Sequence, residues 1–149
     1  MTKEVLSIGL ATKVPEILQW KQTYSVGIAN FDGHHRELVR LINEFHEAMA
    51  TGRSREILEY LLARLIKYAV YHFRAEESVL QAHAYPGLEV HKAEHRKFLH
   101  NVKSFQKDFL AGRTMPTIDI MVFLRNWFGN HTQGTDQRYA PFLRGRGIV

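Results

Sequence analysis

The sequence predicts an all-α fold: an antiparallel up-down four-helix bundle preceded by an N-terminal extension. Three observations predict it. Apolar residues recur at spacings of three and four through four long segments, and no period-2 run competes. Short stretches carrying proline, glycine and N-cap residues separate those segments. A chain of 149 residues with 45% hydrophobic content is also enough for one domain with its own core. Residues 1–19 form the predicted extension and 20–149 the bundle domain.

The first helix is expected from about Asp32 to Ala50, ending at Thr51-Gly52. Ser54 suits the N-cap of the second, which carries Glu56 in its first turn and reaches about Ala82. Pro86 fits the first turn of a third helix that continues to about Ala111, before Gly112. The fourth starts near Thr117 and is expected to end no later than Pro141. In the extension, "VPEILQW" suits either a short helix docked on the bundle or a subunit, or a flexible tail.

Composition removes several function classes. Without cysteine there are no disulfides and no thiolate metal sites. No apolar run approaches the roughly 18 residues of a membrane span, and "VLSIGLA" is too short for a signal peptide. A cytoplasmic protein without a membrane partner is therefore the expectation. The net charge is +5, but basic residues are interspersed with acids in "HHRELVR" and "HKAEHRKF". Such a pattern suits a solvated helix surface and not a nucleic-acid interface.

The core-facing stripes hold the unusual feature, because each contains histidine. They read His35, Leu38, Ile42, Phe45, Met49 in the first helix and Leu58, Leu62, Leu65, Ala69, His72, Glu76, Val79 in the second. The third gives Leu88, His91, His95, Phe98, Val102, Phe105, and the fourth Ile120, Leu124, Trp127, His131. A single core histidine is ordinary. Five with a glutamate, left without partners, would cost about 2–7 kcal/mol per unsatisfied group. A bound metal removes that cost and couples its own binding to folding. His72 and Glu76, like His91 and His95, are four apart and so share a helix face. Five imidazoles and one or two carboxylates exceed one tetrahedral ion and suit two bridged ions of higher coordination, iron or manganese before zinc. The chain has no Glu-x-x-His, which separates it from the carboxylate-rich ferritin-like oxidases.

These residues resemble the hemerythrin family, over residues 20–139. "WKQTYSVGIANFDGHH" is similar to the family opening that ends D-x-x-H, "HFRAEE" to H-F-x-x-E-E, and "YPGLEVHKAEHRKF" to YP-x-L-x-x-H-x-x-x-H-x-x-F. "WFGNHTQGTD" is similar to W-x-x-x-H-x-x-x-x-D. The resemblance implies two non-haem iron ions with a bridging oxo or hydroxo group, held by His35, His72, Glu76, His91, His95, His131 and Asp136. It places His91, His95 and His131 on a saturated iron, His35 and His72 on the O₂-binding iron, and Glu76 and Asp136 as bridges. Reversible O₂ binding for storage, delivery or sensing follows, with no catalytic residue, and any signalling or delivery partner is unspecified. The competing function on the same centre is a di-iron redox enzyme handling peroxide, nitric oxide or iron.

Three departures from the family pattern stand out. Thr132 replaces an apolar residue and is expected to make the pocket more polar, raising autoxidation. Leu80 stands where methionine is frequent, a volume-conserving change. Gly134 loosens the helix between His131 and Asp136, a pair five residues apart. His34, His46, His83 and His100 read as surface residues, and Glu77 as a surface or ion-paired residue facing away from the metal. Trp20, Tyr24, Trp127, Phe128 and Tyr139 read as packing, and Asp32 as either the cap of the first helix or the acceptor that orients His35.

Overall fold

Backbone signals set the ends of the helices. In the computed structural model, which describes residues 14–149, α1 spans Ala29–Ala50, α2 Arg55–Ala82, α3 Leu88–Leu110 and α4 Ile118–Asn130. A π-helical turn, His131–Thr135, joins α4 to α5, Asp136–Arg144. Ser54 caps α2 by accepting the Ile57 N–H. Gly52 and Gly112, at φ of 70° and 76°, terminate α1 and α3 in the left-handed conformation that glycine adopts most readily. Short connections force neighbouring helices to run antiparallel, and α1 packs on α2 and α4 while α3 packs on α2.

Pro86 lies two residues before α3 and outside its first turn, and Gly87 holds the N-cap. Two further helix ends differ from expectation. The first helix begins at Ala29, three residues before Asp32. Asp32 fills neither expected role: its carboxylate accepts the Val26 N–H at 2.8 Å and the Ser25 hydroxyl at 2.6 Å, closing the turn that enters α1. Gly27 in that turn has φ of 71°, and a Cβ there would meet Arg144 Nη1 at 2.6 Å. Asp32→Ala would leave the fully buried Val26 N–H unpaired. It is expected to cost about 1–3 kcal/mol, read as a lower urea midpoint at unchanged slope.

The other difference is Pro141, which does not stop the last helix. It lies within α5, which runs on to Arg144. The proline costs one intrahelical hydrogen bond. Burial of Tyr139, Ala140 and Leu143 against Val26, Ile28, Phe31 and Leu80 offsets that loss.

Residues 14–20 carry no helix. Leu18 is buried there, with its backbone N–H and carbonyl both bonded to the Asn43 side chain at 3.0 and 2.7 Å. The rest of the extension lies outside the described residues. Among the described residues, no helix is long and apolar enough to cross a membrane.

Apolar side chains form two separate layers. The larger includes Leu38, Ile42, Phe45, Leu62, Leu65, Phe98, Val102, Leu124 and Phe128. The smaller contains Val26, Ile28, Phe31, Leu80, Tyr139, Ala140 and Leu143. On the helices these layers flank a band of polar residues that are as buried as the core itself: His35, His72, Glu76, His91, His95, His131 and Asp136 are each at most 3% exposed.

Candidate metal centre

Helix periodicity delivers most of this band. His72 and Glu76 on α2, and His91 and His95 on α3, are each one turn apart and project to the same side. His35 comes from α1, in line with Leu38 and Ile42. His131 and Asp136 pose a harder problem, because five residues on a regular α-helix point about 140° apart. The π turn solves it: the Asp136 N–H bonds to the His131 carbonyl, an i to i+5 bond that widens the helix locally. Both side chains then reach one centre, with Asp136 Oδ1 3.1 Å from His131 Nε2.

All seven residues anticipated as ligands meet there; six of them form two groups of potential ligand atoms that share Glu76, and Asp136 faces both groups. One group contains Glu76, His91, His95 and His131, and the other His35, His72 and Glu76. The Nε2 atoms of His95 and His131 are 3.1 Å apart, and those of His35 and His72 are 3.2 Å apart. Each carboxylate divides its oxygens between the groups. Glu76 Oε1 contacts His91 Nε2 and lies 3.2 Å from His95 Nε2, while Oε2 faces His72 Nε2 at 3.4 Å. Asp136 Oδ1 faces His91 and His131, and Oδ2 lies 3.2 Å from His35 Nε2.

The donor set suits cations. Asp136 carries two fully buried oxygens without a hydrogen-bond donor, a costly arrangement for a carboxylate unless a cation or proton faces it. Pairs of imidazole Nε2 atoms near 3 Å likewise need a proton or a metal between their lone pairs. On the His95–His131 side protons carry that burden in the metal-free chain. Burial lowers His131, but Asp136 and Glu94 outweigh it and push the imidazole up to about 10. Burial and Glu76 raise Asp136, yet His131 and His35 hold it below the usual carboxylate range. Burial likewise raises Glu76, and His72, His91 and His95 pull it well below its ordinary value.

Groups behind the ligands fix the rings. His95 Nδ1 donates to Glu77 Oε2 at 2.7 Å, so Glu77 is no bystander: it turns from Glu76's metal-facing side and braces a neighbouring ligand from behind. His131 Nδ1 lies 3.5 Å from Glu94, whose carboxylate also accepts the Thr135 hydroxyl at 2.7 Å. His131 pushes Glu94 down to about 2, against the opposing effect of burial and with help from Thr135. Phe73 stacks on His95 at 3.8 Å and Trp127 on His131 at 4.3 Å.

Three residues differ from the sequence reading. His34 is buried, not a surface histidine, and its Nδ1 lies 3.0 Å from His72 Nδ1. Adjacent positions point about 100° apart, so α1 aims His35 into the centre and His34 at the back of α2, still beneath the surface. Tyr139 does more than pack, because its hydroxyl donates to Glu76 Oε2 at 2.7 Å. Thr132 is buried but spends its only donor on the Phe128 carbonyl at 2.8 Å, which leaves none for the pocket. Thr132→Val is therefore expected to leave the autoxidation half-life of reduced, oxygenated protein close to that of the parent, by visible absorbance. Among the residues missed, only His34 carried a signal, as half of a His-His pair at the start of a helix. Glu94 and Tyr139 depend on the neighbours that the fold brings to them.

A helical bundle with buried histidines and carboxylates between two apolar layers defines a metal-binding four-helix protein. The family model described as the hemerythrin HHE cation binding domain matches residues 26–143. The chain belongs to the hemerythrin family. It is 38% identical over 119 residues to a bacteriohemerythrin of Methylococcus capsulatus, covering 80% of this chain and 88% of that protein. A bacteriohemerythrin of Stenotrophomonas maltophilia is 29% identical over 128 residues, covering 86% and 82%. Among solved structures, a wild-type hemerythrin superposes with a TM-score of 0.80 at 32% identity, covering 84% of this chain and 96% of that one.

Proposed function

We propose that the chain binds O₂ reversibly, for storage, delivery or sensing, at a pair of non-haem iron ions with a bridging oxo or hydroxo group. The ligands are His35, His72, Glu76, His91, His95, His131 and Asp136. The observation that carries this reading is the division of both buried carboxylates between the two imidazole groups, the arrangement a bridged pair of ions needs. Three imidazoles serve one position and two serve the other, so the His35–His72 position keeps room for a small exogenous ligand. When bound, the iron pair supplies that open position and the electrons that reversible O₂ binding draws and returns.

The chain's own residues do the rest. His91, His95 and His131 hold one ion with rings oriented by Glu77, Phe73 and Trp127. Glu76 and Asp136 would each offer one oxygen to either ion, and the Tyr139 hydroxyl steadies Glu76 through Oε2. Phe128 lies edge-on to His35 at 6.0 Å and Phe31 edge-on to His72 at 6.1 Å, so apolar rings exclude water from the open side. A dry pocket disfavours protonation and loss of reduced oxygen species, so that O₂ leaves as O₂.

The test pairs metal analysis with visible spectroscopy of anaerobically reduced protein, exposed to O₂ and then degassed. About two irons per chain and an absorption band that appears with O₂ and fades on degassing support the reading. A stoichiometry well below that, or irreversible oxidation in one exposure, rejects it.

Proton release offers a second check. His131, raised to about 10, is protonated near neutral pH in the metal-free chain and must lose that proton to ligate. Its raised value stabilises the metal-free fold below the ordinary imidazole value of 6.5, and this contribution disappears as pH rises through about 10. Metal affinity runs the opposite way and falls as pH falls. Calorimetric titration at pH 7 in two buffers of different ionisation enthalpy is expected to show proton release on loading. Identical heats after correction for affinity would contradict it.

A further inference from the structure

The groups behind the imidazole ligands are not the same at the two metal positions. Behind His95 and His131 stand carboxylates, Glu77 and Glu94. Only Glu77 is hydrogen-bonded to its ligand, at 2.7 Å from His95 Nδ1; Glu94 faces His131 Nδ1 at 3.5 Å without a hydrogen bond. Behind His72 stands another imidazole, His34, and the buried Nδ1 of His35 has no hydrogen-bond partner and no carboxylate beside it. A carboxylate that accepts a ligand's N–H makes the imidazole a stronger donor to its metal, and a neutral acceptor does so less.

The tautomer of His34 follows from its neighbour. His72 Nε2 faces the centre, 3.2 Å from His35 Nε2 and 3.4 Å from Glu76 Oε2, so it ligates through Nε2 and keeps its proton on Nδ1. That proton points at His34 Nδ1, 3.0 Å away, which must offer its lone pair and carry its own proton on Nε2. The His34 ring is 7% exposed, and Tyr68 and Tyr71 pack beside it with ring centroids at 6.0 and 5.2 Å. Burial and these rings hold it in that orientation.

We propose that His34 is a positioning residue. By accepting the His72 Nδ1–H as a neutral imidazole, it fixes the His72 ring and sets the His35–His72 metal position weaker than the carboxylate-backed one. The proposal rests on the two-metal reading of the centre. It gives the chain a built-in order of loading, with the His91–His95–His131 position filling first. It also leaves the more weakly held ion on the side with the open coordination position.

The experiment is a stepwise Co(II) titration of the metal-stripped full chain, followed by visible absorption, on the parent protein and three variants. His34→Leu removes the acceptor, His34→Gln keeps a neutral acceptor, and His34→Glu places a carboxylate behind His72. The parent is expected to bind two equivalents in two steps. His34→Leu should weaken the second step by roughly 10–100-fold and leave the first unchanged. His34→Gln should recover most of that loss, and His34→Glu should strengthen the second step and bring the two closer together. In Zn(II)-loaded protein labelled with ¹⁵N-histidine, the protected His72 Nδ1–H signal should persist in the parent and vanish in His34→Leu. An unchanged second step in His34→Leu, or equal weakening of both steps in all three variants, overturns the proposal while leaving the two-metal reading intact. Fewer than two Co(II) bound by the parent overturns both.

Discussion

Glu76→Ala is expected to lose metal at both positions, because one residue serves both groups of ligands. Its Oε1 faces His91 and His95 and its Oε2 faces His72, so no remaining side chain on α2 replaces either contact. The loss should exceed the roughly 10–100-fold in affinity typical of removing a group behind a ligand. Glu77→Ala falls inside that band, since Glu77 touches only the Nδ1 side of His95. Its effect should be confined to the His91–His95–His131 position. Metal content after dialysis, with visible titration to separate the positions, distinguishes the two variants. Equal losses would mean that the assignment of Glu76 as a bridge is wrong.

Stripping the metal has the second large effect. The metal-free fold buries five imidazoles and two carboxylates between two apolar layers, with protonated His131 as the cation that faces Asp136. A ligand present at about a thousand times its dissociation constant stabilises the native state by about 4 kcal/mol. For a chain of this size each kcal/mol shifts the melting temperature by roughly 2–4 °C. Chelation is therefore expected to lower the melting temperature by on the order of 10 °C, and re-addition of iron under anaerobic conditions should restore it. An unchanged melting temperature after complete removal, checked by metal analysis, would show that the centre contributes nothing to folding. Glu76→Ala separates binding from folding, since its melting temperature should no longer respond to metal.

The four helices were legible because their signals are local. Ser54 accepts the Ile57 N–H as its N-cap role requires, and Gly52 and Gly112 end their helices in the conformation glycine favours. His72 with Glu76, and His91 with His95, were legible for the same reason, because a four-residue spacing on a helix is already a statement about direction. His131 and Asp136 mark the boundary. Their spacing is wrong for a regular helix, and the family pattern alone singled Asp136 out. The physical reason appears only in the π turn that aligns them.

By itself, then, the sequence determined an all-α bundle, four helical segments, and histidines placed in the stripes that become the core. Short-range hydrogen bonds and helical periodicity decide those features, and both act over a few residues of the same segment. Tertiary structure decided what stands behind the ligands. His34 read as a surface residue because its own helix does not show that Tyr68, Tyr71 and His72 on α2 cover it. Tyr139 read as packing because the oxygen it binds is supplied by α2, 63 residues earlier. Glu94 gains its partner only when the π turn carries Thr135 and His131 to α3. Pro141 read as a stop because its missing hydrogen bond is a local loss, whereas the apolar layer that offsets it is assembled from distant parts of the chain.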